Sequence, residues 1–393
     1  MNAFYLNSVP ATLTIWLMAS ILVLPMPADS LLGLALFGVI FTRLYRQWPF
    51  SLDTRSLPWL CATLLVGYLV CSVAWSPLWD WQDIVQVGLR GLLVMAFIAA
   101  IADAQAAPQE FLLALSRCLA VAVLIAVVAS IALWLYWPPD DGRLEGLFRL
   151  NNAGKFGRTL AVILPITMAG ALHDPGRWRL VHTAACVATV IALLMTDTRS
   201  AWLGATVGFI AFAVATWQPQ PRAFMVTLSV IGLLLLTVLL VIVFHPNPDI
   251  TRALLPRADS FRLLIWSAHI DAIRQGSVLF GQGFLAELIV PSAETTHRGA
   301  HSMYLSTLMQ GGLIALGLFL LVIAGTAVRV IGRLQMPLAR CAVAVLLAGI
   351  VTFVFDGDRL IDKLNLVWIA LWLPLAVAVT RWSPTEHTAG TQH

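Results

Sequence analysis

Residues 246–310 read PNPDITRALLPRADSFRLLIWSAHIDAIRQGSVLFGQGFLAELIVPSAETTHRGAHSMYLSTLMQ, and this stretch decides how the rest of the chain is understood. It is the one long polar interval in a sequence made otherwise of successive apolar runs. Arg252, Arg257, Arg262 and Arg274 precede Gly281 and Gly283, and His301 stands at the lip of the next apolar run. A loop of this kind, closing over one end of a membrane-embedded bundle, would present guanidiniums to an anionic ligand and an imidazole to a proton donor.

The flanks support that reading. Of 393 residues, 60% are hydrophobic and 11% charged, against roughly 25% charged in a soluble domain. The net charge of +4 is spread along the chain, which suits membrane orientation and not a nucleic-acid surface. Cys61, Cys71, Cys118, Cys186 and Cys341 all fall in apolar runs without a CxxC pair. They are expected to be buried small hydrophobes, neither zinc ligands nor a disulfide framework. Pro10 to Met26 has neither a basic leader nor an A-x-A site and is expected to be a retained first span.

A span needs roughly 20 apolar residues, and that length predicts an all-α polytopic protein with about twelve transmembrane helices. Nine cores precede the loop, near 10–26, 31–45, 57–75, 84–102, 111–136, 158–172, 178–195, 200–217 and 223–245; three follow, near 301–328, 338–355 and 364–381. The second and sixth are short enough to be tilted, broken or partly re-entrant. The chain divides into helices 1–9 over 1–245, the loop over 246–300, helices 10–12 over 301–382, and a tail over 383–393. Arginine-bearing connections such as HDPGRWR and RVIGRLQMPLAR place both termini in the cytoplasm by the positive-inside rule. The opposite face nevertheless carries Arg143, Arg149, Lys155, Arg158, Arg199, Arg359 and Lys363. Either an anionic ligand uses them, or they pair with Asp140, Asp141, Glu145, Asp356, Asp358, Asp362 or lipid headgroups. Arg90, mid-run, is expected to pair with Asp83 or to serve a ligand.

Within the loop, Asp259 or Ser260 can start a helix and Gly276 can end it. Phe261, Ile265, Ala268 and Ala272 form one stripe; Arg262, Trp266, His269 and Ile273 form its neighbour. An amphipathic helix on the membrane surface has this pattern, with Trp266 as an interfacial anchor or a ligand contact. Arg199 lies in TDTRSAWLG, a tight reversal, where its fork suits phosphate oxygens and Asp197 is the structural alternative. His301 opens a helix, whose dipole disfavours the imidazolium and so favours the neutral form that a general base needs; an interfacial cap is the plainer role. NNAGKFG lacks the glycine of a P-loop, GQGF is half a dinucleotide fingerprint, and Asp140 and Asp141 lack a third metal ligand.

Taken in order, RLNNAGKFGRTLAVILP, TRSAWLG, FRLLIWSAHIDAIRQGSVLFGQGF, AHSMYL and MQGGLIALGLFLL resemble the O-antigen ligase family, within the O-antigen ligase and polymerase superfamily of bacterial envelope glycosyltransferases. The resemblance implies a GT-C-like fold in the inner membrane, with the long loop and the active site on the periplasmic face. It implies metal-independent, inverting transfer of a glycan from undecaprenyl diphosphate to lipid A–core, with no cofactor. Arg199 and Arg262 match the arginines that engage the donor diphosphate, and His301 matches the catalytic histidine. Lys155, Arg158, Trp266 and Gln310 are the further expected substrate contacts. Gln310 departs from the family pattern, in which an acidic residue often stands at that place. O-antigen polymerisation and protein O-glycosylation are sister readings, and a secondary transporter or lipid flippase is a reading of another class.

Overall fold

The computed structural model describes residues 8–45, 52–77, 79–102, 108–228, 262–291 and 296–381. Of the expected ninth span only 223–228 is described, as helix; the rest of it, Arg252, Arg257, the Asp259/Ser260 cap and the tail beyond residue 381 lie outside the described residues.

The described chain is a helical bundle. In order come α1 (Val9–Val23), α2 (Met26–Tyr45), α3 (Leu57–Ser72), α4 (Trp81–Ala102), α5 (Pro108–Tyr136), α6 (Ala153–His173), α7 (Arg177–Thr196) and α8 (Arg199–Trp217). After the undescribed interval come α9 (Arg262–Gln275), strands β1 (Ile289–Pro291) and β2 (Thr296–Arg298), α10 (Met303–Ile331), α11 (Pro337–Phe355), a π-helical turn (Trp368–Trp372) and α12 (Leu373–Val379). Among the described residues eight helices are long and apolar enough to cross a membrane, and Val9–Val23, Gly33–Thr42 and Trp368–Val379 are shorter apolar helices. The protein is therefore a polytopic membrane protein. Two details differ from an all-helical expectation. An antiparallel hairpin pairs Val290 with His297, and residues 356–365 form a polar loop before the last helical stretch.

The sixth span is not short. It is 21 residues long and packs against α5, α7, α8 and α11, with Pro165 inside it. Close packing comes from small residues. A Cβ on Gly204 of α8 would meet Thr352 at 2.6 Å, and one on Gly208 would meet Ala348 at 3.0 Å. This is the small-xxx-small contact that lets membrane helices approach without a hydrophobic driving force.

α10 is broken at Gly312, whose φ is 64°. The segment 277–283 supplies the missing backbone partners. The amides of Gln282 and Gly283 donate to the carbonyls of Met309 and Gln310 at 2.8 and 2.9 Å, and the Leu313 amide donates to the Val278 carbonyl at 2.9 Å. A Cβ on Gly281 would stand 2.6 Å from the Gln310 carbonyl oxygen. GQG and QGG are thus two halves of one joint; the glycines serve close backbone approach, not a nucleotide.

The end of the bundle at the C-terminus of α6 is clamped by ion pairs. Arg117 holds Asp174 with two bonds of 2.6 and 2.7 Å, and His182 meets the same buried carboxylate at 3.2 Å. Arg329 holds Asp53 at 2.7 Å, while Arg333 caps the carbonyls of Val377, Ala378 and Thr380. Toward the other end, Arg90 pairs with Asp362 at 3.3 Å. It does not pair with Asp83, because Asp83 is engaged in a reciprocal cap with Asp80. Cys71 is exposed and Cys186 half-buried, so only Cys61, Cys118 and Cys341 are the buried hydrophobes expected; all five are free thiols.

Candidate active site

At the opposite end, the N-termini of α6, α8, α9 and α10 meet the C-termini of α7 and α11. Each brings a polar side chain because each begins or ends there. Asn152 caps α6 by accepting the Lys155 amide at 3.2 Å, which sets Arg158 one turn inside, buried at 7% exposure. α7 stops at Thr196, Asp197 reverses the chain in the left-handed region, and α8 starts with Arg199. The turn is stapled from outside by Arg143, which donates to the Thr196 carbonyl at 2.8 Å and to the Thr198 hydroxyl at 2.8 Å. Arg199 itself is exposed. Among the described residues no carboxylate pairs with it.

Part of each α9 stripe faces the protein. Ile265, His269 and Ile273 are buried where α9 packs on α10, and the helix ends at Gly276 as its glycine requires. Trp266 donates its indole N–H to the Ala300 carbonyl at 3.1 Å, so it braces the His301 loop. Arg262 lies over the Phe355 ring, 5.6 Å from its centroid. Burial lowers its pKa; Arg158 and Arg199 push the same way and Asp356 opposes them. A guanidinium stays charged regardless. The direction therefore marks a spot where three cations converge on one carboxylate and a further anion would be stabilised.

His301 precedes α10 with φ 46°, an uncommon conformation for a residue with a Cβ. Its amide donates to the Asp358 carboxylate, and Gly299 beside it leaves no room for a Cβ against the same carboxylate. The imidazole is 41% exposed, with Nδ1 4.0 Å from Asp356 Oδ1. The other Asp356 oxygen receives Arg158 at 2.7 Å. At 4.0 Å the imidazole and carboxylate are not hydrogen-bonded, but the carboxylate faces the ring and would stabilise an imidazolium as it forms. Crowding by protein raises the Asp358 pKa above the usual carboxylate range; Asp356 and Glu287 add to this and His301 opposes it.

Gln310 stands behind the site at 5% exposure. Its Nε2 donates to the Asp358 carbonyl at 2.6 Å, and Ser306 donates to the Gly357 carbonyl at 3.3 Å. Together they strap the 356–358 segment to α10. An ionised carboxylate at 310 could not donate in this way, which gives the departure at Gln310 a physical reason. The arrangement thus brings together Arg158, Arg199, Arg262 and His301, puts Trp266 and Gln310 in supporting positions, and leaves Lys155 exposed on a neighbouring cleft.

Sequence reading missed Asp356 and Asp358 as site residues. It gave DGDRLIDK only a charge-pairing role, since nothing in spacing links residue 356 to residue 301. The available signal was two acids directly after a span and beside a basic face. It also missed Phe148, which with Asp197 and His301 has positive φ, and whose backbone strain no side-chain pattern announces.

These features define a polytopic membrane protein with a cationic, histidine-bearing centre at one end of its bundle. Residues 184–320 match the family model described as O-Antigen ligase, so this part of the chain carries the domain of that family. The match contains Arg199, Arg262, Trp266, His301 and Gln310; Lys155, Arg158, Asp356 and Asp358 lie outside it. Members of the family are glycosyltransferase-like ligases and polymerases that generally use lipid-linked glycans. None of the curated proteins compared matches the chain.

Proposed function

We propose that the protein is an O-antigen ligase of the inner membrane, with a GT-C-like arrangement of about twelve spans and its site on the periplasmic face. It transfers a glycan from undecaprenyl diphosphate to lipid A–core with inversion and without a metal. The observation that carries this reading is the meeting of Arg199 and Arg262, neither paired with a carboxylate among the described residues, with His301 backed by Asp356.

Two guanidiniums suit the donor diphosphate bidentately. They stabilise the charge that develops on it as the glycosidic C–O bond breaks. His301 removes the proton from the acceptor hydroxyl while that oxygen attacks the anomeric carbon from the face opposite the diphosphate. The new glycosidic bond forms, the diphosphate leaves with the bond's electron pair, and the proton resides on an imidazolium facing Asp356.

The test is transfer by purified protein from lipid-linked glycan to lipid A–core in EDTA. Ligation of one glycan per acceptor, abolished by His301→Ala, is expected. Elongation of lipid-linked glycan with lipid A–core untouched would instead make the protein a polymerase. Strict dependence on added divalent metal would overturn the two-arginine account.

A further inference from the structure

A concavity opens from Asp356. It is a cleft of about 370 Å³ between residues 148–151, the first turns of α6, the start of α10 and residues 356–367, and neither Arg199, Arg262 nor His301 lines it. Its volume is that of a small-ligand site.

The lining is charged in a particular way. Asp356 and Asp362 are already held, by Arg158 at 2.7 Å and Arg90 at 3.3 Å. Lys155 and Lys363 are exposed, and among the described residues neither is paired with a carboxylate. Arg359, 5.8 Å from the Phe284 ring centroid, and Arg149, which donates to the Leu364 carbonyl at 2.6 Å, add two further cations, and the third acid, Asp358, accepts the His301 amide. Two free ammonium groups therefore face a space whose acids are engaged elsewhere, which favours an anionic occupant.

The cleft also has an aromatic lip. Phe148 is 52% exposed with φ 50°. A bulky aromatic in the left-handed region is a strained conformation of the kind that clusters at ligand sites. A half-exposed ring beside Asn151 and Asn365 offers an apolar face and amide partners, a combination that suits a saccharide.

We propose that this cleft is the acceptor subsite and takes an anionic saccharide, its ring on Phe148 and its acidic substituents on Lys155 and Lys363. The inference rests on the glycosyl-transfer reading above and divides the labour of the site. The donor diphosphate occupies the Arg199–Arg262 side, and the acceptor sugar enters from the other side of Asp356, next to His301.

The test needs no turnover. The full chain in nanodiscs is titrated calorimetrically with a water-soluble core oligosaccharide from deacylated lipopolysaccharide, which bears phosphates and carboxylates. Lys155→Gln with Lys363→Gln is expected to weaken binding about tenfold, as loss of two charge-assisted contacts. Phosphatase treatment or amidation of the probe, whichever removes the recognised anion, should weaken wild-type binding and leave the double variant unmoved. Phe148→Gly should weaken binding while the protein melts no lower than wild type, because glycine relieves the strain. Arg199→Ala should lose donor binding and keep oligosaccharide binding. Retention of all oligosaccharide affinity in both cleft variants would overturn the subsite, as would no binding by wild type or equal competition by inorganic phosphate. Cleft-dependent binding without any transfer would uphold the subsite and refute the ligase reading alone.

Discussion

Arg158 and Asp356 form a 2.7 Å ion pair in which the arginine is almost wholly buried, and this pair fixes the carboxylate that faces His301. The carboxylate is thereby held by a helix that contributes nothing else to the imidazole.

Asp356 and Asp358 should accordingly respond differently to the same change. Asp356→Asn removes the charge opposite the forming imidazolium and should lower kcat by roughly 10²-fold, within the range of lost general-base assistance. Asp358→Asn should transfer at nearly the wild-type rate, since an amide oxygen still accepts the His301 amide. With its folded pKa raised, Asp358 makes the native state bind more protons than the unfolded state between the ordinary carboxylate range and that raised value. Stability therefore falls as pH rises across this window, and Asp358→Asn should flatten the slope in thermal melts at stepped pH.

Arg199→Ala and Arg262→Ala should each cost roughly 10²–10³ in kcat, the scale of a lost electrostatic donor. Arg262→Lys keeps a charge without the planar fork and should recover part of the loss. Equal kcat in wild type and both alanine variants, with saturating donor, would remove the diphosphate from this place.

Gln310→Glu should destabilise by about 1–3 kcal/mol above the glutamate pKa, because a carboxylate replaces the donor to the Asp358 carbonyl. Protonation restores a donor, so the variant's melting deficit should shrink as pH falls. A deficit independent of pH would count against this contact.

The joint in α10 is unforgiving. Gly312→Ala places a Cβ where φ is 64° and should cost at least about 1–3 kcal/mol from backbone strain alone. Gly317→Ala, five residues on with open space around it, should melt like wild type.

At the far end of the bundle, Asp174→Ala removes the carboxylate shared by a part-buried guanidinium and His182 and should cost about 1.5–3 kcal/mol. Burial raises the Asp174 pKa, but the bonds from Arg117 and His182 outweigh it and the net shift is downward. Its stabilisation is thus full above the ordinary carboxylate range and is lost as pH falls through the lowered value. Acid melts of wild type and variant should converge there.

Helix existence was legible because spans announce themselves by length and hydropathy, and Gly276 ends α9 as its residue type requires. Arg199 and His301 stood out as polar groups at the ends of apolar runs. What periodicity could not supply was partnership across long separations. Arg90 prefers Asp362, 272 residues away, over Asp83 on its own helix. Trp266 reads as a lipid anchor until the Ala300 carbonyl is seen beside it. Glycines in GQG signal tight backbone without naming the backbone they admit.

The segment between Gly283 and His301 is pinned at both ends by main-chain groups: the Gly283 amide on α10 and the His301 amide on Asp358. Bonds of that kind do not depend on which side chains lie between them. Apart from Gly299, which its fit against Asp358 holds to glycine, the hairpin can therefore be varied, altering what the mouth of the protein touches while the histidine keeps its register.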